Sequence, residues 1–297
     1  MYELQEKLRN HTSGYKGEQS LDYFYRYLPS DVHLLHGIRI LHDGYYFQMD
    51  TIFITSSFLT IVEVKNLTGS LFFDNRFSQL IRTYDDKRDS FSNPIEQVNR
   101  QKYHLSKILE QNKIPSVPIE TLVVITHPSA IIDASPTYKE ASEIVIKSSS
   151  LPHKFESLTS KYPTPILTQK QIKKLIKYLS KTSSLYNPDV CELFQINKDD
   201  LIRGVLCQSC TPSLMHYNRG SWYCSICHSS SKTAHIEALE DYACLISINI
   251  TTKECRDYLK LSSNKQAYQI LCSLNLPYTG NRKSRHYHLA PLLEKEH

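Results

Sequence analysis

The chain has 297 residues, 40% of them hydrophobic, which suits the ordinary cores of two or three domains. A formal net charge of +5 and a pI near 8.6 permit contact with nucleic acid without requiring it, and twenty tyrosines offer packing and base-stacking surface. No membrane-spanning apolar run, signal peptide, internal repeat or glycine-rich phosphate loop is seen, so a membrane, secreted or ATP-driven protein is not expected and a cytoplasmic setting is.

In chain order, Gly17-Glu18 precedes a stretch where Leu21, Phe24, Tyr25 and Leu28 recur at helical spacing, with Glu18 on the same stripe. A carboxylate on a core-facing stripe needs a partner. Tyr45 to Ile54 reads as a strand, Thr55-Ser56-Ser57 as a turn, and Phe58 to Lys65 as a strand buried on both faces. Alternation projects Glu63 and Lys65 to one side, Val62 and Val64 to the other, and the hairpin sets Asp50 beside Glu63. Adjacent carboxylates repel unless a divalent cation lies between them, and hard oxygen ligands suit Mg2+ or Mn2+. Lys65 then faces a substrate phosphate or the attacking water. A plainer reading of the same residues is a strand-end aspartate beside a surface Glu-Lys pair.

Asn93-Pro94-Ile95-Glu96 opens a helix, with a capping side chain, proline at the first helical position and a glutamate three residues after the cap. Ile95, Val98, Leu105 and Leu109 form its buried face. Gln97 and Gln101 share another face, within reach of a phosphate or a metal-bound water.

With Gly17-Glu18, Gln48-Met49-Asp50, Glu63-Val64-Lys65 and Asn93-Pro94-x2-Gln97 in this order, roughly residues 10 to 130 resemble the nuclease-related domain family, grouped with the PD-(D/E)xK restriction-endonuclease-like superfamily. The resemblance implies an α/β fold, a restriction-endonuclease-like mixed sheet flanked by helices. It also implies Asp50, Glu63 and the Val64 carbonyl as ligands of Mg2+, Lys65 as catalytic lysine, and Glu18 and Gln97 as supporting residues. Two positions depart from the wider superfamily. Met49 precedes Asp50 where a proline can stand, and Gln101 occupies the tyrosine position of the Gln-x3-Tyr motif of an exonuclease branch.

Further on, Ile119 to Thr126 reads as a buried strand and Ala141 to Lys147 as another. Thr168 to Leu179 is an amphipathic helix whose lysines are a solvated face or a contact to DNA. Residues 1–185 are thus expected to form the nuclease-like domain, followed by a linker over 186–202.

Cys207-x2-Cys210 and Cys224-x2-Cys227 have the spacing of a structural four-cysteine zinc site. Met215-His216-Tyr217, Asn218-Arg219-Gly220 and Ser221-Trp222-Tyr223 read as strand, turn and strand, the layout of a zinc ribbon over 203–232, with disulfides as the alternative. His216 and His228 are bystanders, and Cys191, Cys244, Cys255 and Cys272 are expected to be reduced, buried and inert. Over 233–297, Ala234 to Ile248 is a helix, Thr251 to Glu254 opens a second, Leu261 to Asn264 turns, and Lys265 to Leu274 is a third. Pro277 to Leu289 closes as a hairpin around Gly280-Asn281. The arrangement resembles a winged helix-turn-helix, with Arg282, Lys283 and Arg285 on backbone phosphates. The alternative is a small helical cap on the ribbon.

The expectation is a metal-dependent DNA nuclease with C-terminal DNA-binding modules, Mg2+ or Mn2+ at the carboxylates and structural Zn2+ in the ribbon, serving repair, processing or defence against foreign DNA. The competing expectation is a non-catalytic nucleic-acid-binding protein on a nuclease-like scaffold. RNA as substrate and a homodimer as assembly are both compatible with the sequence.

Overall fold

The computed structural model describes residues 2–184, 188–210, 212–281 and 284–293, so Arg282 and Lys283 lie outside the described residues. The chain divides into two compact units, Met1–Tyr186 and Asn187–His297, each with its own buried core.

The first unit runs α1 (Tyr2–Ser20), α2 (Asp22–Tyr25), β1 (His33–His42), β2 (Tyr45–Ile54), β3 (Leu59–Lys65), β4 (Ser70–Asp74), β5 (Gln79–Tyr84), β6 (Lys87–Ser92), α3 (Pro94–Gln111), β7 (Ile119–Ile125), β8 (Ile131–Ala134), α4 (Lys139–Ile144), β9 (Val145–Lys147), α5 (Leu151–Lys161) and α6 (Gln169–Thr182). Its central sheet has the order β1-β2-β3-β7-β9, antiparallel from β1 to β3 and parallel from β3 to β9. A second sheet, β6-β5-β4-β8, is also mixed.

Strand β3 lies in the middle of the central sheet, and helices cover both of its faces. Ile61 packs with α3 and α6 residues such as Val98, Leu105 and Leu175, while Val62 and Val64 pack with Leu21, Tyr25, Leu151 and Phe155. Burial on both sides explains the near-continuous apolar run.

Strands β1 and β2 rotate together at one point. Leu35 pairs with Ile52 and Ile38 pairs with Met49, and all four join the α3-side core although Leu35 and Ile38 are three apart. Period-two alternation therefore slips between these pairs, at Gly37 and Asp50. Gly37 takes φ +60, which glycine adopts without a Cβ penalty. The slip turns Asp50 out of the regular in-and-out pattern at the end of its pairing with β3.

Three expectations need correction in this unit. The stripe Leu21, Phe24, Tyr25 and Leu28 is not one helix: α1 ends at Ser20, α2 supplies a single turn, and helix already precedes Gly17-Glu18. Ala141 to Lys147 is half helix and half strand, because Ala141 is buried from α4 and extended backbone begins only at Val145, which pairs with Val123. Finally, Gln101 is on the buried side of α3, 3% exposed, beside Val98 and Leu105.

The second unit runs α7 (Val190–Leu193), β10 (Val205–Leu206), β11 (Leu214–Asn218), β12 (Ser221–Cys224), β13 (Ser230–Ser231), α8 (His235–Leu245), β14 (Asn249–Thr251), α9 (Thr252–Tyr258), α10 (Asn264–Ser273), β15 (Tyr278–Thr279), β16 (His286–His288) and α11 (Ala290–Leu293). Its sheets are β10-β11-β12-β13 and β14-β16-β15. One cluster joins Cys207, Met215, Trp222 and Cys224 of the first sheet to Leu239, Tyr242, Leu271 and Tyr287 of the helical part. Residues 186–202, read as a linker, include α7 with Cys191 buried. Cys255 is buried as expected, but Cys244 and Cys272 are exposed. Each follows a buried neighbour, Ala243 or Leu271, and so sits on the outer side of its helix.

Candidate active site and metal centre

The ladder between β2 and β3 runs from Ile54–Leu59 to Thr51–Val62. Beyond it Asp50 Oδ2 accepts from the Val64 N–H at 2.9 Å, so a side chain serves where a strand carbonyl otherwise would. Burial, then the charge of Glu63, push the Asp50 carboxyl up to about 7, against the opposing pull of the Val64 N–H and Lys65.

Glu63 is 2% exposed, which excludes the reading of Glu63 and Lys65 as a surface pair. Its Oε1 accepts from Lys65 Nζ at 2.7 Å and its Oε2 from Gln101 Nε2 at 2.9 Å. Gln101 Nε2 also donates to the Gln48 carbonyl at 2.7 Å, so both contacts of its nitrogen are acceptors. That fixes the amide's orientation and leaves Gln101 Oε1 buried with no partner. Gln101 therefore buttresses a carboxylate instead of facing a phosphate. Lys65 Nζ makes a second contact, to Gln97 Oε1 at 3.3 Å.

Helix α3 delivers both glutamines because its start is fixed. Asn93 has extended backbone, its side chain accepts from the Ile95 N–H at 3.0 Å, and Pro94 occupies the first turn. Helix α1 approaches from the other side at Gly17, where a Cβ would lie 2.6 Å from Asn66 Cβ and 3.1 Å from Thr126 Oγ1. Asn66 Nδ2 donates to the Ser13 carbonyl at 2.8 Å and ties this helix to the end of β3. Glu18 arrives with it, and burial plus the charge of Glu63 raise its carboxyl above the usual range.

A cleft of about 750 Å3 opens beside Lys65, lined by Asn10, Ser13, Asn66, Arg82 and Arg88 among others. Arg82 pairs with Asp89 on the β5–β6 hairpin. No reading of the sequence singled out these arginines, since β5 and β6 alternate too weakly to announce a hairpin. Gln101 was legible only as the residue four after Gln97.

The zinc-ribbon residues form a second centre. The four Sγ atoms of Cys207, Cys210, Cys224 and Cys227 all lie within 4.8 Å of one another. Cys207 and Cys227 are 3.5 Å apart and Cys210 and Cys224 3.2 Å, near the roughly 3.8 Å edge of a tetrahedron with Zn–S bonds of about 2.3 Å. Both separations are well beyond the roughly 2.05 Å of a disulfide bond. The β11–β12 hairpin pairs Met215 with Cys224 and turns through Arg219 and Gly220, both at positive φ. Ser229 Oγ sits 3.1 Å from Cys227 Sγ and 3.4 Å from Cys207 Sγ, an outer hydrogen bond of the kind that orients thiolate ligands. Among the described residues this is the one group of three or more His, Cys, Asp or Glu side chains placed to hold a metal ion; His216 and His228 are not in it. Asp50 and Glu63 bring two carboxylates to the end of β3, outside that group.

In the last part of the unit Arg285 stacks over Tyr278 at 4.1 Å, and it borders a depression shared with Lys253, Lys265 and Tyr268. No helix among the described residues is long and apolar enough to cross a membrane.

Residues 13–126 match the family model of the nuclease-related domain, and this span holds Glu18, Asp50, Glu63, Lys65, Gln97 and Gln101. Neither the curated proteins nor the solved structures yield a match.

Proposed function

We propose, on the premise that residues 13–126 are a nuclease-related domain, that the chain hydrolyses phosphodiester bonds of DNA with a divalent metal. The observation that carries this reading is the Glu63–Lys65 pair at the buried end of β3, with Asp50 beside it. The donor set fits a hard dication: the charge of Glu63 adds to the cost of ionising Asp50, and oxygen ligands suit Mg2+ or Mn2+. Asp50, Glu63 and the Val64 carbonyl would hold it, and the bound ion supplies an acidified water and charge neutralisation at the phosphate.

The chain's own residues do the rest. Gln101 holds Glu63 Oε2 in place, Gln97 positions Lys65, and Lys65 neutralises a phosphate oxygen or orients the attacking water. Lys65 must release Glu63 Oε1 to do so. Glu18, whose carboxyl burial and then the charge of Glu63 raise above the usual range, is a supporting acid at the edge of the site.

The second unit is proposed to capture DNA. Its element order α8-β14-α9-α10-β15-β16, with β16 central in the small sheet, supports the winged helix-turn-helix reading. Arg285, with Arg282 and Lys283, would touch phosphates, and loss of each contact lowers the salt slope of log K by about 0.9.

The test is metal-titrated cleavage of single-stranded, duplex and branched DNA and of RNA. Cleavage should need Mg2+ or Mn2+ and fall at least about 10²-fold with Glu63→Gln or Lys65→Ala. Unchanged cleavage by folded Lys65→Ala protein would overturn the assignment.

A further inference from the structure

Beside Gln97 and Gln101 lies a second depression, of about 470 Å3. Its walls are aromatic on one side and hydrogen-bonding on the other. Tyr45 stands 78% exposed at the β1–β2 hairpin, and Phe47 stacks on His104 with centroids 5.0 Å apart and planes 20° from parallel. Gln48, Gln97 and Arg100 supply amide and guanidinium groups. Residues 97, 100, 101 and 104 form one stripe of α3, so the glutamines that touch Lys65 and Glu63 also line this hollow.

The hairpin tip turns through Asp43 and Gly44 at φ 52 and 82, a two-residue connection that matches strand twist. His104 is fixed from behind by His42, whose Nδ1 lies 3.0 Å from its own Nδ1. Flat aromatic walls beside amide groups are the chemistry that recognises a nucleobase, by stacking on its face and bonding to its edge. A paired base presents neither face nor Watson–Crick edge.

We infer that this hollow receives one unpaired base of the substrate next to the scissile phosphate, so that the nuclease acts on single-stranded or frayed nucleic acid. The inference rests on the nuclease reading for its placement, and Arg100 supplies the charge that complements the adjoining phosphate.

Binding is measured by fluorescence anisotropy with the full chain in EDTA, using a labelled single strand, the same strand in duplex, and the strand with an abasic position. Tyr45→Ala should weaken single-strand binding about five- to a hundredfold, the worth of one stacked base, and leave duplex binding unchanged. Tyr45→Phe and Tyr45→Trp should restore it. An oligonucleotide carrying 5-iodouracil should cross-link to Tyr45 or His104 under ultraviolet light. Parental single-strand affinity in Tyr45→Ala, or adducts confined to residues 187–297, would overturn the inference. Absence of cleavage with every divalent ion, together with intact dependence on Tyr45, would instead sink the nuclease reading and leave the base site standing.

Discussion

Lys65 Nζ lies 2.7 Å from Glu63 Oε1, two residues away along the same strand, while Glu63 itself is almost fully buried. The lysine therefore neutralises the carboxylate. Breaking a buried pair by removing one partner strands the other charge, at a cost of about 3–5 kcal/mol.

Lys65→Met should accordingly lower the melting temperature in EDTA and reduce cleavage by about 10²–10³-fold. Mn2+ should raise its melting temperature more than it raises the parent's, because the dication then replaces the missing ammonium. Equal metal-induced shifts in the two proteins would show that Glu63 is not a ligand.

Asp50 gives a pH dependence of known sign. Its folded carboxyl titrates near 7, above the ordinary aspartate value of 3.8, so the folded state holds the proton more tightly than the unfolded chain. Stability is then lost as pH rises between those values. In EDTA, Asp50→Asn should be more stable than the parent by about 2–4 kcal/mol at pH 8, with the difference gone near pH 4. Urea unfolding across this range checks it, and Mg2+ should stabilise only the parent.

Two glycines of α1 make opposite predictions. A Cβ at Gly14 meets nothing within 4 Å, so Gly14→Ala should stabilise by up to about 1 kcal/mol through helix propensity. Gly17→Ala drives a methyl into Asn66 and Thr126 and should cost about 1–3 kcal/mol. Cleavage should fall with it, since Glu18 moves with the helix. Thermal melts and cleavage rates of the two single variants decide the point.

For the cysteine centre, elemental analysis should find one zinc per chain. Cys224→Ser should lose it, and because the ribbon and α8 share one core, amides of α8 should lose hydrogen-exchange protection as well. Full protection in α8 after zinc removal would separate the metal from that core.

The parts of the site that were legible in the sequence are those that local rules dictate. Alternation in β3 put Glu63 and Lys65 together, and the Asn93-Pro94 start set the phase of α3. What stayed hidden depends on tertiary packing. Strand β1 has exposed and buried residues mixed without strict alternation, because the slip at Gly37 breaks the pattern. Strand β6, nearly all exposed, has no buried face to announce itself, and β5 alternates too weakly, so Arg88 and Arg82 went unread. Gln101 looked like a surface amide because only the buried Glu63 across from it explains a glutamine in that position.

The parallel pairing of β3 with β7 sets when this chemistry becomes available. Glu63 aligns with Val123, and α3, which carries both glutamines, lies between them in the chain. A ribosome that has released only β2 and β3 has exposed an open sheet edge, with Glu63 still in water and Lys65 without Gln97. Long-range parallel pairing forms slowly, since the loop must close before its contacts reward it. The candidate site thus assembles only after the polypeptide through Ile125 has emerged and docked, and an incomplete chain carries Glu63 and Lys65 without the enclosure that brings the glutamines to them.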